Sequence, residues 1–353
     1  MRIGISTGGG DCPGLNAIIR AFVKCAVRKH KMEVFGIEDS LDGLVDRPTR
    51  IRPLNEKDVR GILDRGGTIL GTSNRGSPFK AADGGVAVRQ RIKEAWAENK
   101  LDGLVMIGGD GTQGMAMVMA GELGIPLIGI PKTIDNDFGA TQLSVGFMTA
   151  VDVAADAVAR LQSTAEAHDR IMVAEVMGRS AGFIALQAGI AGGAHIILVP
   201  EIPFDYDALI QKIEERKKDG RQFCVIVVAE GAHEKSSSPQ FRTSATGSTH
   251  LGGIGDVVAR ELYLRTGIAT RVTVLGHIQR GGSPNAMDRI LATSFGSHAA
   301  NLAAAGKFGR IVCLAQGHIS DVSYASLTKG ATPLEPDSFM IQAAEAVGVC
   351  LGR

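Results

Sequence analysis

One pattern recurs along most of this chain: a short apolar run, a glycine-bearing turn, then a stretch with helical periodicity. Arg2–Ser6 reads as a strand and Asn16–Lys29 as a helix carrying Ile18, Ile19, Phe22, Val23 and Ala26 on one face. Leu104–Ile107 reads as a strand that runs through GGDGT (Gly108–Thr112) into a helix over Gln113–Leu123. Pro126–Ile130 then leads into PKTIDND (Pro131–Asp137). Further strand-like runs at Ile171–Val176, Ile196–Val199, Phe223–Ala229, Val272–Leu275 and Ile311–Ala315 alternate with helical patterns such as Asp205–Lys218 and Ile254–Leu264. Such alternation predicts an α/β fold of mainly parallel sheets flanked by helices. Ligands then bind beyond the carboxyl ends of strands, where most of the glycine clusters fall. At 353 residues the chain exceeds the roughly 250–300 at which single cores stop growing, so two lobes are expected.

Composition narrows the partners. Basic and acidic residues balance at 38 against 37, which argues against nucleic acid or a membrane surface as the general partner. Five scattered cysteines include no CxxC pair, and no HExxH occurs, so neither a disulfide framework nor a zinc site is expected. A reducing, cytoplasmic setting fits this, and the first residues carry no signal-peptide pattern. Ser180–Pro200 lacks Asp, Glu, Lys and Arg, but Gln187, His195 and Gly192-Gly193 make it read as helix, turn and buried strand. The polar stretch His233–His250 is expected to be an exposed loop or insertion.

Three motifs point to phosphate chemistry. TGGGDCPG (Thr7–Gly14) joins a strand to a helix, where glycines let backbone N–H groups approach an anion and the helix start favours negative charge. A tight turn alone would also explain it. GGDGT adds Asp110, which suits Mg²⁺ at a strand end, or else caps the next helix. In PKTIDND an extended loop would send Asp135 and Asp137 to the same side, into one pocket. Phosphoryl transfer to an alcohol needs a carboxylate to take the hydroxyl proton and Mg²⁺ to offset phosphate charge. Asp135 suits the first task, and Asp110 with Asp137 the second. Basic groups cluster in EVMGRSAG (Glu175–Gly182) and GHIQRGGSP (Gly276–Pro284), while Arg170 and Arg271 open strand runs. Several cations at strand ends suit a phosphate monoester.

From Thr7 to about Arg289, the motifs TGGGDCPG, GGDGT, TIDND, EVMGR, VVAEG and GHIQRGG occur together and in order, and the chain resembles the phosphofructokinase A family. The resemblance implies a 6-phosphofructokinase with Mg²⁺ as cofactor and ATP as donor. Gly9 and the cradle Gly108, Gly109, Asp110, Gly111 and Thr112 would meet nucleotide phosphates, Asp110 also the metal, and Arg75 the nucleotide. Thr133, Ile134 and Asp135 would meet fructose 6-phosphate, with Asp135 as proton acceptor at its 1-hydroxyl. Met177, Gly178, Arg179, Glu230, His277 and Arg280 would hold the sugar and its phosphate. Arg170 and Arg271 would reach across a subunit boundary, implying a homo-oligomer, dimer or tetramer, with shared active sites. The family fold would place a donor lobe at residues 1–146 and 279–329, and a sugar-phosphate lobe at 147–278 and 330–353.

Two departures bear on this resemblance. Gly8 stands where many members have serine, which reads as a minor change near the phosphates. Gly111 is the residue of ATP users, whereas Lys132 is typical of pyrophosphate users, and the pair resembles the mixed-substrate branch. A side chain at 111 would obstruct the α-phosphate, whereas the Lys132 charge serves either donor, so ATP is the expected donor and pyrophosphate the alternative. A more remote alternative is an NAD or lipid kinase, which shares GGDGT but leaves TIDND, EVMGR and GHIQRGG unexplained.

Overall fold

The strands expected from continuous apolar runs lie in two sheets, and the outermost strands of the larger sheet are ones that sequence reading did not find. The computed structural model describes residues 1–80, 85–243, 249–327 and 330–353. In chain order the elements begin β1 (Arg2–Thr7), α1 (Leu15–His30), β2 (Glu33–Ile37), α2 (Asp42–Val45), β3 (Ile51–Leu54) and α3 (Val86–Asn99). There follow β4 (Gly103–Gly108), α4 (Asp110–Leu123), β5 (Leu127–Pro131), α5 (Phe147–Ala167), β6 (Ile171–Val176), α6 (Phe183–Gly192) and β7 (Ile196–Leu198). Next are α7 (Tyr206–Lys218), β8 (Cys224–Ala229), β9 (Phe241–Thr243), β10 (Thr249–Leu251), α8 (Ile254–Thr266) and β11 (Thr270–Val274). The chain ends with α9 (Ala286–Ala304), β12 (Arg310–Ala315), β13 (His318–Ser323) and α10 (Phe339–Ala346).

The described chain divides into two compact units. The first comprises Met1–Ile134, Phe138–Thr149 and Arg280–Gly330. Its seven-stranded sheet has the order β13-β12-β5-β4-β1-β2-β3. Strands β12, β5, β4, β1 and β2 are mutually parallel, while β3 and β13 pair antiparallel at the two edges. Every residue of β4 and β5 is buried, as expected of parallel strands covered on both faces. Ile37, Leu104, Met106, Ala116, Met119, Leu127 and Ile311 form one core cluster against that sheet.

The second unit comprises Asp135–Asp137, Ala150–Gln279 and Ala331–Arg353. Its parallel sheet runs β11-β6-β8-β7, with β6 and β8 wholly buried. Ile171, Val173, Ile196, Leu209, Ile226, Val258 and Leu262 make its core. Asp205 caps α7 by accepting from the Asp207 N–H, as a carboxylate at that position should.

The structure corrects several expectations. The sheets are mainly parallel as expected, and in the seven-stranded one β3 and the β12–β13 hairpin close the two edges in the antiparallel sense. The polar stretch His233–His250 is not all loop: Lys235–Ser238 is exposed, but β9 and β10 pair as an antiparallel hairpin. Residues 244–248 of that stretch lie outside the described residues. Helix α4 starts at Asp110, three residues earlier than its apolar pattern shows, because Gly111 and Gly114 hide its periodicity. Ser180–Pro200 is indeed helix, turn and buried strand, α6 and β7, and among the described residues no helix is long and apolar enough to cross a membrane.

Candidate active site

In the first unit, β1 and β4 are adjacent and both end in glycine loops. The Gly8 N–H donates to the Ile107 carbonyl at 2.9 Å and the Gly9 N–H to that of Ser73 at 3.1 Å. Two amides of the Thr7–Gly14 loop are therefore committed within the protein, which limits what the loop can turn toward an anion. Its carbonyls face cations instead. The buried Lys132 ammonium donates to Gly8 O at 3.0 Å and also to Gly10 O, and Arg280 Nη1 donates to Asp11 O at 3.1 Å. Lys132 and Arg280, expected at the donor and the sugar phosphate, here also shape this loop. Cys12 within it is fully buried, and burial pushes its thiol up to about 12.

The GGDGT segment is a helix start rather than a free loop. Gly109 is the N-cap of α4, and Asp110, Gly111 and Thr112 form its first turn. Asp110 is exposed, and a Cβ at Gly111 would meet no atom within 4 Å. Thr112 points inward and is 3% exposed. A Cβ at Gly108 would lie 2.3 Å from Thr112 Cβ, so only glycine lets β4 turn directly into α4. A Cβ at Gly8 would lie 2.8 Å from Thr112 Oγ1 and 2.9 Å from Ser40 Oγ. A side chain at Gly8 would therefore crowd the buried Thr112 and Ser40 side chains, which would have to shift to admit it.

Sequence reading missed Gln113. Buried behind the cradle, its Nε2 donates to the carbonyls of Met106, Gly108 and Ile130 at 3.1–3.2 Å, and its Oε1 accepts from Tyr324 Oη at 2.7 Å. It ties β4, β5 and α4 together, but lacks any local signal because its partners lie up to 211 residues away. Arg75 is exposed and lines a polar cavity of about 420 Å³ with Asp39, Asp42, Asp46 and Arg50. Thr133 is half-buried and its carbonyl accepts from Ser144 Oγ at 2.7 Å. Ile134 is fully buried, so its side chain cannot touch a substrate and only its main chain remains for that role.

In the second unit the expectation that Asp135 and Asp137 project alike fails. Asn136 between them has φ 53°, in the left-handed region, so the backbone is not extended and the alternation rule does not apply. Asp135 is only 3% exposed, and its Oδ2 lies 3.6 Å from Nε of Arg179, whose side chain is 60% exposed. Arg179 itself adopts φ 53° after Gly178 at φ 142°, a turn that follows directly from the end of β6. The Arg179 N–H donates to Glu230 Oε1 at 2.9 Å. Burial raises the Glu230 carboxyl above the usual carboxylate range, the Arg179 N–H opposes that rise, and the Asp135 charge adds to it. The Met177 N–H donates to Gln279 Oε1 at 3.0 Å. Asp135, Gly178, Arg179 and Glu230 are therefore brought together as expected.

His277 is exposed on the short helical turn Gly276–Gln279. Arg271 is exposed on β11, which is the edge strand of its sheet, and Arg170 is half-buried immediately before β6. The Arg271 guanidinium donates through Nη1 to the Thr270 carbonyl at 2.8 Å.

The family model described as Phosphofructokinase matches residues 2–303. The chain is 44% identical over 355 residues to a protein of Synechocystis sp. (strain ATCC 27184 / PCC 6803 / Kazusa) named ATP-dependent 6-phosphofructokinase 1, covering 100% of this chain and 98% of that one. It is 46% identical over 342 residues to a protein of Amycolatopsis methanolica named pyrophosphate–fructose 6-phosphate 1-phosphotransferase, covering 96% and 98%. Among solved structures, phosphofructokinase from Saccharomyces cerevisiae superposes with a TM-score of 0.80 at 30% identity over 98% of this chain and 46% of that longer one. The pyrophosphate-dependent enzyme from Marinobacter aquaeolei gives a TM-score of 0.80 at 19% identity, covering 100% of this chain and 92% of that one, a likeness of fold. By matching motifs, family model and full-length relatives alike, the chain belongs to the phosphofructokinase family.

Proposed function

We propose that the chain is an ATP-dependent 6-phosphofructokinase, transferring the terminal phosphoryl group of ATP to O1 of fructose 6-phosphate to give fructose 1,6-bisphosphate. The observation that carries this reading is the buried Asp135 carboxylate beside the exposed Arg179 guanidinium. Such a pair offers a proton acceptor for a sugar hydroxyl and a cation for the sugar phosphate. Residues 147–278 with 330–353 form the sugar-phosphate lobe in this reading, where Met177, Gly178, Arg179, Glu230 and His277 hold the acceptor. Residues 1–146 with 279–329 form the donor lobe, contributing Gly9, the Gly108–Thr112 cradle and Arg75, while Thr133, Ile134 through its main chain, and Arg280 serve the acceptor. Arg170 and Arg271 serve a neighbouring copy in a homo-oligomer, and the protein works in the cytoplasm.

Asp135 takes the proton from the 1-hydroxyl as that oxygen forms its bond to phosphorus, and Arg179 and Arg280 orient the acceptor. Mg²⁺ needs one or two carboxylates when it keeps waters and shares phosphate oxygens, and exposed Asp110 beside open space at Gly111 fits that demand. When bound, the ion would offset charge on the donor phosphates. Among the described residues no cluster of three or more His, Cys, Asp or Glu forms a closed metal cage.

The second reading, pyrophosphate as donor, has the buried Lys132 in its favour. The open space at Gly111 favours ATP, because it leaves room for the phosphate chain beyond the two groups pyrophosphate possesses. Replacing Asp135 by Ala is expected to lower kcat by on the order of 10²–10⁴ while leaving the donor KM within about threefold. Steady-state kinetics on the folded variant checks this, and near-normal turnover would remove Asp135 from its role.

A further inference from the structure

We infer that Gln279 is the positioning residue of the sugar-phosphate loop, its side-chain carbonyl fixing Met177 and, through it, the turn that presents Arg179. The inference rests on the assignment of Met177–Arg179 to the sugar phosphate. Gln279 ends the helical turn Gly276–Gln279 and is 0% exposed. Its Oε1 accepts the Met177 N–H at 3.0 Å. A backbone N–H can only donate, so this bond settles which way the amide points. Nε2 is thereby turned the other way, buried and without a hydrogen-bond partner among the described residues.

Burying an amide with its donor unused costs free energy that a methionine of similar size would not. What the glutamine supplies in return is a single contact, and that contact is on the loop. The loop needs such holds because Gly178 and Arg179 both lie at positive φ, 142° and 53°, and neither conformation propagates from β6. Four of the amides that turn the corner have acceptors of their own. Met177 has Gln279, Arg179 has Glu230, Ala181 has the Gly178 carbonyl and Gly182 has Glu201. Gln279 holds the first of them, at the point where the chain leaves the sheet. Without an acceptor there, the loop would relax before Arg179 and the guanidinium would lose its aim.

The test measures both KM values and kcat for Gln279→Met, Gln279→Asn and Gln279→Glu, with Arg179→Ala as reference and melting temperatures alongside. Gln279→Met should raise the fructose 6-phosphate KM about tenfold, the size of a lost buried hydrogen bond. The donor KM should stay within about twofold and kcat within about threefold. Gln279→Glu, which keeps an acceptor, should restore the sugar-phosphate KM to within about threefold of the parent. If Gln279→Met does not accumulate folded, Gln279→Asn, whose carbonyl falls one methylene short of Met177, carries the same expectation. The inference is overturned if Arg179→Ala raises that KM while the Met and Asn variants do not. It is equally overturned if Gln279→Glu is as impaired as Gln279→Met, or if both KM values move together as in a general loss of structure. An unchanged sugar-phosphate KM in Arg179→Ala would instead refute the loop assignment itself, and the positioning role with it.

Discussion

Replacing Gly111 with aspartate separates folding from donor choice. Position 111 lies in the first turn of α4 and a Cβ there meets no atom within 4 Å, so the substitution creates no clash. Leaving glycine improves helix propensity by a few tenths of a kcal/mol, and a carboxylate at a helix N-terminus gains ~0.3–1 kcal/mol, part of it offset by repulsion from Asp110. Stability should therefore stay within about 1 kcal/mol of the parent. Donor binding should not. A carboxylate about 5 Å from a phosphate charge at an effective dielectric of about 20 is repelled by roughly 3 kcal/mol, and solvent screening at this exposed turn reduces that to ~1.5–3 kcal/mol. This corresponds to a fall in kcat/KM for ATP of about 10- to 100-fold. Pyrophosphate, with a shorter phosphate chain, should lose less. Coupled-assay kinetics with each donor, together with a thermal melt, reads both quantities. An ATP kcat/KM within twofold of the parent, in a protein that melts normally, would refute the steric and electrostatic reasoning.

Two further outcomes follow from packing and burial. Gly8→Ala should destabilise the chain by ~1–3 kcal/mol, because its Cβ would crowd the buried Thr112 and Ser40 side chains; urea denaturation giving an unchanged midpoint would show that this wall yields. His195 accepts the Val225 N–H at 2.9 Å through Nδ1, and burial, with Arg216 and Lys212 adding, lowers its pKa from 6.5 to about 4. A lowered folded-state pKa means that the unfolded chain binds the extra proton first. The stabilisation is complete above about pH 6.5 and is lost as pH falls toward 4. His195→Gln should flatten stability between those values, and an identical pH profile in denaturation would contradict it.

How far the sequence was legible follows from where each signal lies. Strands β4, β5, β6 and β8 are buried along their whole length, so their apolar runs stand out. The edge strands β3 and β13 carry no such run, reading IRPL and HISDVS, segments whose pairing depends on the neighbouring strand. Asp135, Arg179 and Glu230, which the structure brings together, stood out because their motifs are dense and local. Gln113, Gln279 and the crowding of Gly8 by Thr112 and Ser40 did not, since each involves at least one partner more than 100 positions away. The expected pairing of Asp135 with Asp137 failed for a single local reason, the left-handed Asn136 between them, which no periodicity rule anticipates.

The most direct measurement gives the purified protein Mg²⁺ and fructose 6-phosphate, then either ATP or pyrophosphate, and follows fructose 1,6-bisphosphate. Rapid turnover with ATP, lost on changing Asp135 to Ala, is the result this account predicts. No product with either donor, or product with pyrophosphate alone, would contradict it.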